Sequence, residues 1–495
     1  MNSTKRSLDK DLEKIVHVEA AARTTASMAM SHGAAIVFLG ISALIASVYA
    51  GVNPDAAIIV IAVILGGYMA LNIGANDVAN NVGPAVGSRA LTMVGALAIA
   101  AIFESAGALL AGGDVVSTIS KDIIDPTLVS DTNVFIWAMM AAMISSAVWV
   151  NIATYLGAPV STTHAVVGGV MGAGIAAVGF QLVNWATLGA IALSWVISPV
   201  LGGVIAALFL AFIKHNVIYR EDKIAAARRW VPMLVALMAG AFAFYLAIKG
   251  FKQIWRPAPN VIGPLSIAVF AGVWLIMRPI VRYQSKGMEN RNQSLRILFR
   301  IPLICSAALL SFAHGANDVA NAIGPLAAIL HSAEFGDISR KAEVPIWIMV
   351  IGAFGISLGL FLYGPKLIRM VGGKITKMNP MRAYCVALSA AITVIIASSL
   401  GLPVSSTHIA VGAVFGVGFL REYYTQHSRK RREMVMRARG DEPGGDEPIA
   451  PEEMRHRKLV RRSHFLTIVA AWVITVPATA LIAAAAFYAL TAISE

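Results

Sequence analysis

The chain predicts an all-α polytopic membrane protein of two inverted-topology repeats with broken helices, in about 11–13 membrane segments. Three observations predict it. The sequence is 57% hydrophobic and 14% charged, with a mean hydropathy of +0.71, greasier than ordinary soluble domains. Two short polar phrases each occur twice, in the same order. Corresponding loops of the two halves carry opposite charge.

A hydrocarbon core of about 30 Å takes roughly 20 apolar residues of helix. Such stretches cover 33–52, 55–73, 89–111, 133–155, 157–180, 185–213, 230–249, 262–281, 300–331, 344–365, 383–401, 402–420 and 464–490. A barrel would show short alternating segments instead. Residues 1–32 read as a polar tail with no short apolar core and cleavage site, so no removable signal is expected. An extra membrane helix follows at 33–52. Repeat 1 spans 55–214, a connecting segment with two membrane helices spans 215–299, and repeat 2 spans 300–490. Cys305 and Cys385 lie in apolar segments without partner spacing and read as packing residues.

The repeats rest on two phrases. Gly74-Ala75-Asn76-Asp77-Val78-Ala79-Asn80-Asn81-Val82-Gly83-Pro84 returns as Gly315-Ala316-Asn317-Asp318-Val319-Ala320-Asn321-Ala322-Ile323-Gly324-Pro325. Gly157-Ala158-Pro159-Val160-Ser161-Thr162-Thr163-His164 returns as Gly401-Leu402-Pro403-Val404-Ser405-Ser406-Thr407-His408. Same order and similar separation point to duplication.

Charge sets the orientation. Loop 112–132 holds Asp114, Asp122, Asp125 and Asp131 against Lys121, whereas its counterpart 366–382 holds Lys366, Arg369, Lys374, Lys377 and Arg382 without an acid. The uncharged stretch 181–184 corresponds to the basic segment 421–463. The positive-inside rule puts such pairs on opposite faces, the mark of an inverted repeat. Segments 214–229, 282–300 and 421–463 are basic and read as cytoplasmic, as does the N-terminus, in a multi-pass plasma membrane protein. This distribution accounts for the net charge of +13 without nucleic acid. The 421–463 segment mixes a basic run with Gly-Pro-acidic sequence and reads as a flexible solvated loop, with anionic lipid as a candidate partner. A homo-oligomer is compatible with this plan.

The aspartate phrase suggests an ion site. A buried aspartate costs about 2.5–3.5 kcal/mol on insertion scales, so Asp77 and Asp318 are not expected to be idle. Asn76, Asn80, Asn317 and Asn321 add amide oxygens, and the carboxylate-plus-amide set suits a small hard cation. Gly74, Gly83, Pro84 and their partners Gly315, Gly324 and Pro325 are expected to break the helix and free carbonyls for the ion. The alternative is polar glue between helices; duplication favours the ion site.

The hydroxyl phrase suggests an anion site. Pro159 and Pro403 end the preceding helix, and Ser161 and Ser405 suit the N-cap of a new one. Its first turn is then Thr162-Thr163-His164 or Ser406-Thr407-His408. Unpaired N–H groups, the dipole end and adjacent hydroxyls make an anion site. The alternative is hydroxyls bonding back to helix carbonyls. His164 and His408 can donate to the anion, relay protons or brace helices, with bracing favoured. Zinc is not expected, since no Cys/His cluster has ligand spacing. Glu104 is an intramembrane acid and functional by default. Its counterpart is read as Gly355, and Arg89 is too distant to pair with it on a regular helix. Neither hydroxyl phrase contains Arg or Lys, so an oxyanion beside Asp77 and Asp318 requires bound cations. That predicts coupling.

With Gly-Ala-Asn-Asp-Val-Ala-Asn repeated, Phe103-Glu104 and the two Pro-Val-Ser-(Thr/Ser)-Thr-His phrases, the chain resembles the inorganic phosphate transporter (PiT) family. The resemblance covers both repeats. It implies a sodium- or proton-coupled phosphate symporter with inverted repeats and broken helices. It implies phosphate at Ser161, Thr162, Thr163, Ser405, Ser406 and Thr407, and sodium near Asp77, Asn80, Asp318 and Asn321. Glu104 matches an acidic position important in animal members. Those members have a Cys-x-Glu-Leu context where this chain has Cys385-Val386-Ala387-Leu388, so that acid is lost or moved. Some bacterial relatives resemble sulfate carriers and some use protons; the intact Asn/Asp phrases lean towards sodium.

The expectation is secondary active import of inorganic phosphate by cation symport, sodium favoured, with alternating access. A proton-coupled phosphate or sulfate permease is the alternative. An anion channel would need a continuous pore with several weak sites, which a single duplicated site argues against. The sequence has no P-loop, His-Glu-x-x-His, nucleophile elbow or cofactor fingerprint, so no enzyme and no cofactor are expected beyond the coupling ions.

Overall fold

The computed structural model describes residues 26, 28–125, 128–129, 131–250, 257–338, 344–374, 378–428 and 462–494. Each apolar stretch of the sequence forms a helix. In chain order these are α1 (Met28–Ala50), α2 (Ala56–Gly87), α3 (Met93–Ala111), a short α4 (Gly113–Lys121), α5 (Thr132–Leu156), α6 (Thr162–Val178) and α7 (Trp185–Ile213). Then follow α8 (Lys223–Tyr245), α9 (Pro259–Gln284), a short α10 (Asn292–Leu298), α11 (Arg300–Phe335), α12 (Ile346–Lys374), α13 (Pro380–Ser399), α14 (Ser406–His427) and α15 (Arg462–Ser494). Among the described residues, eleven helices are long and apolar enough to cross a membrane. The protein is a polytopic all-helical membrane protein.

Burial separates core helices from lipid-facing ones. The apolar stretch of α11 is 89% buried and that of α9 only 6%. On α9, Ile267, Leu275 and Ile276 are exposed; on α15, Val473 and Leu481 are. Apolar faces of this extent need lipid or a partner to cover them. Helix starts carry side-chain caps: Thr92, Asp131, Asn184, Asp222 and Asn379 each accept a backbone N–H from the first turn.

The two halves exchange partners. Helix α2 packs on α12, and α3 packs on α11; α7 packs on α14 and α13, and α15 packs on α6 and α5. Glycines allow these crossings. A Cβ on Gly74 would strike the backbone of Ile356, and one on Gly315 would strike the backbone of Glu104.

Several sequence expectations are corrected here. The aspartate phrases do not break their helices: α2 and α11 run unbroken through Gly74–Pro84 and Gly315–Pro325. Their glycines serve close helix approach instead, and the interruptions fall at the hydroxyl phrases, between α5 and α6 and between α13 and α14. Loop 112–132 contains α4, and α12 continues to Lys374 within the stretch read as loop 366–382. The structural counterpart of Glu104 is Ile356, one residue beyond Gly355, because these two backbones meet the equivalent glycines. The first helix begins at Met28, inside the expected polar tail; residues 1–25 lie outside the described residues. In the segment read as loop 421–463, α14 continues to His427, and 429–461 lie outside the described residues.

Candidate functional site

The hydroxyl phrases fold as helix starts. Helix α5 ends at Leu156 with Gly157 in the left-handed region (φ 72°), and the chain resumes as α6 at Thr162. Ser161 caps α6 by accepting the N–H of His164, and Ser405 caps α14 by accepting that of His408. Prolines two residues before each cap keep the linking turn extended.

Asparagines of the aspartate phrases hold these turns. Asn76 donates from Nδ2 to Thr154 Oγ1 (2.9 Å) and Ala158 O (3.4 Å), and its Oδ1 accepts the Val160 N–H (3.4 Å). Asn317 repeats the pattern with Ser398 Oγ (3.0 Å), Leu402 O (3.3 Å) and the Val404 N–H (3.3 Å). Both ends of each amide are thus taken up. These hydrogen bonds make Asn76 and Asn317 latches on the turns, and each Oδ1 keeps a second lone pair.

Next come the carboxylates. Thr162 donates to Asp77 Oδ2 (3.0 Å), and Ser406 donates to Asp318 Oδ2 (2.9 Å). Other bonds cross between halves. Asn80 donates to Thr407 Oγ1 (2.8 Å), Thr407 donates to Asp77 Oδ1 (3.0 Å), and Asn321 donates to Thr163 Oγ1 (3.1 Å). Thr163 in turn donates to Val404 O (3.0 Å). The ring centroids of His164 and His408 are 4.4 Å apart. His164 stacks on Trp195 (3.6 Å), whose Nε1 donates to Pro403 O. The fifteen residues singled out in the sequence are all buried, and all but Glu104 sit in this one hydroxyl–amide–carboxylate assembly.

Sequence reasoning missed His314 and Asn81. His314 Nε2 lies 2.7 Å from Asp318 Oδ2 and 3.8 Å from Asp77 Oδ2, and its Nδ1 lies 3.4 Å from Glu104 Oε1. Asn81 donates to Glu104 Oε1 at 2.7 Å. Glu104 therefore joins the assembly through His314. Ligand atoms of Asp77, His314 and Asp318 all lie within 4.8 Å of one another. The signal was present, since the repeated phrases differ at these positions: Ile73 stands opposite His314, and Ala322 opposite Asn81. With Ile356 opposite Glu104, Asn81, Glu104 and His314 make a polar triad drawn from both halves, and the equivalent position on the other side holds Ala322, Ile356 and Ile73.

The chemistry of the donor set is now legible. Two helix N-termini offer first-turn N–H groups to an anion, and the hydroxyls of Thr162, Thr163, Ser406 and Thr407 would join them by turning from the acceptors they now face. Asp318 Oδ1 and Asn321 Oδ1 are buried oxygens without a hydrogen-bond partner among the described residues, which suits a hard cation.

Comparison with known proteins agrees with this geometry. Residues 73–483 match the Phosphate transporter family. A Helicobacter pylori (strain J99 / ATCC 700824) protein, described as "Putative phosphate permease", is 45% identical over 97% of this chain and 98% of its own. A Pyrococcus abyssi (strain GE5 / Orsay) protein of like description is 39% identical over 73% of this chain and 89% of its own. A solved structure described as "The sodium-dependent phosphate transporter" superposes with a TM-score of 0.76 at 35% identity, covering 88% of this chain and all of that one. The match runs from the first aspartate phrase through the second hydroxyl phrase, and the chain belongs to the phosphate transporter family.

Proposed function

We propose that the protein imports inorganic phosphate by symport with cations, sodium favoured, through alternating access between its two halves. One observation carries this reading: Asp77 and Asp318 meet two hydroxyl-lined helix N-termini, one pair from each half, in a single buried site. A phosphate dianion at Ser161, Thr162, Thr163, Ser405, Ser406 and Thr407 would face two carboxylates at short range. Repulsion between unit charges in a protein interior is worth several kcal/mol. Sodium at Asp77, Asn80, Asp318 and Asn321 removes it, so each ion assists the other's binding. In this reading Asn76 and Asn317 hold the turns, Glu104 and His314 tune the second half's aspartate, and His164 and His408 brace the helix starts. The solved transporter of similar fold is described as sodium-dependent, which supports the choice of ion.

The inverted arrangement has topological support. An isolated bridge between Ile124 and Val183 places the segment that leads from α4 towards α5 beside the start of α7. The start of α13 instead lines a cavity with Lys214, at the end of α7. Helix α7 is long enough to cross, which supports opposite faces for the segments entering α5 and α13, equivalent in the repeats. The two repeats, 55–214 and 300–490, are then the moving units.

One observation favours the proton-coupled alternative: His314, a buried imidazole, contacts Asp318 directly. Radiolabelled phosphate and sulfate uptake into proteoliposomes, with sodium and pH gradients imposed separately, decides. Phosphate accumulation driven by sodium alone is expected. Passive equilibration under every gradient would remove the symport reading.

A further inference from the structure

Away from the buried site, a cavity of about 310 Å³ opens at the basic end of the bundle. It is lined by Lys214 at the end of α7, Arg296 on α10, Asn379 and Arg382 at the start of α13, and Arg421 in the last turns of α14, with Tyr219 beside them. Among the described residues, none of its ten lining residues is acidic. Arg296, Arg382 and Arg421 all face this one cavity. Lys214 is only 9% exposed and holds its ammonium 4.1 Å from the centre of the Tyr424 ring.

Four cations from four separate chain segments converge on this one cavity. Helix α13 strengthens the field: its N-terminus, capped by Asn379, opens here, adding the positive dipole end. Arginine forks and a helix start together form a phosphate-binding chemistry. The volume falls at the small end of ligand pockets, roughly 300–1,000 Å³. That exceeds the needs of one orthophosphate and suits a diphosphate or a phospholipid headgroup.

We propose that this cavity is a cytoplasmic binding site for a phosphate-bearing anion, separate from the transport site. The basic segments that meet here are those the positive-inside rule assigns to the cytoplasm. Occupancy would tie the start of α13 to the ends of α7 and α14. Helices α13 and α14 carry Ser398 and Ser405–His408 at their opposite ends, so the bound anion reports from the cytoplasm to the helices of the transport site. The inference stands whichever ion is coupled to transport.

The test uses the purified full-length chain in neutral detergent and sodium-free buffer, titrated calorimetrically with pyrophosphate. Wild type is expected to bind, more weakly as salt is raised. The double variant Arg296→Gln/Arg382→Gln is expected to lose about tenfold or more in affinity. Asp77→Asn should bind as wild type does. A control pair on the same face, Lys286→Gln/Arg291→Gln, should also bind normally. A second arm measures the melting temperature in phosphatidylcholine micelles with and without phosphatidic acid. A rise seen in wild type and lost in the arginine variant, with no pyrophosphate binding, assigns the site to a lipid headgroup. If the double variant does not fold, Arg296→Gln alone is titrated and should lose about threefold. Three results overturn the proposal: no response to either probe, equal loss in the control pair, or a changed affinity in Asp77→Asn with binding kept in the arginine variant. The last would place the anion in the transport site.

Discussion

Thr407 donates a hydrogen bond to Asp77 at 3.0 Å across 330 residues of sequence, joining the hydroxyl phrase of one half to the aspartate phrase of the other. The mirror bond is absent. Thr163 turns instead to the Val404 carbonyl, and Asp318 is approached by His314. The assembly is thus a near-symmetric site with one deliberately unequal corner, and the predictions below probe both features.

Removing either carboxylate charge should weaken cation dependence without unfolding the protein. Asp77→Asn and Asp318→Asn keep the shape and an acceptor oxygen for Thr162 and Ser406. Uptake at limiting sodium is expected to fall about tenfold or more, roughly 1.4 kcal/mol in transport efficiency. Sodium titration of uptake checks this. A wild-type curve in both variants would free the aspartates of the role.

Thr407→Val deletes a hydroxyl that donates to Asp77 and accepts from Asn80. Two buried polar groups then lose a partner, at a cost of about 1–3 kcal/mol each. The apparent Michaelis constant for phosphate should rise. Thr163→Val should do the same through Asn321. Unchanged phosphate kinetics would take both threonines out of the anion site. A double-mutant cycle of Asp77→Asn with Thr407→Val should show coupling, since the two side chains touch.

At the unequal corner, Glu104→Gln preserves an acceptor for Asn81 but removes the charge facing His314. Apparent sodium affinity is expected to drop about tenfold, with the melting temperature almost unmoved. Glu104→Ala also strips Asn81 of its acceptor and should cost about 1–3 kcal/mol of stability. Parallel sodium titrations and thermal melts separate the two effects; a wild-type sodium response in Glu104→Gln makes Glu104 purely structural.

Two glycines of one phrase should behave oppositely. A Cβ on Gly74 would run into the backbone of Ile356, which has no flexible end to yield. Gly74→Ala is therefore expected to destabilise by about 1–3 kcal/mol through overpacking. Gly83 has open space around its would-be Cβ. Gly83→Ala should be neutral or gain up to about 1 kcal/mol from helix propensity. Melting temperatures in one detergent compare them directly.

Composition and local pattern determined a great deal. Hydropathy located the helical stretches, because a lipid-facing helix must be apolar over a fixed length. Proline and serine at 159–161 and 403–405 marked where helices stop and restart, because those residues act on their own backbone. Repetition of the aspartate and hydroxyl phrases singled out the site residues. Tertiary structure decided what no local pattern encodes. Whether Gly74 and Gly315 bend a helix or admit a neighbour depends on Ile356 and Glu104, each hundreds of residues away in the chain. That Asn76 holds a turn depends on Thr154 and Val160 folding back on it. His314 reads as one more intramembrane histidine until packing brings Asp77, Glu104 and Asp318 around it. Burial strengthens electrostatic interactions between such groups, and burial belongs to the packed chain, not to any segment of it.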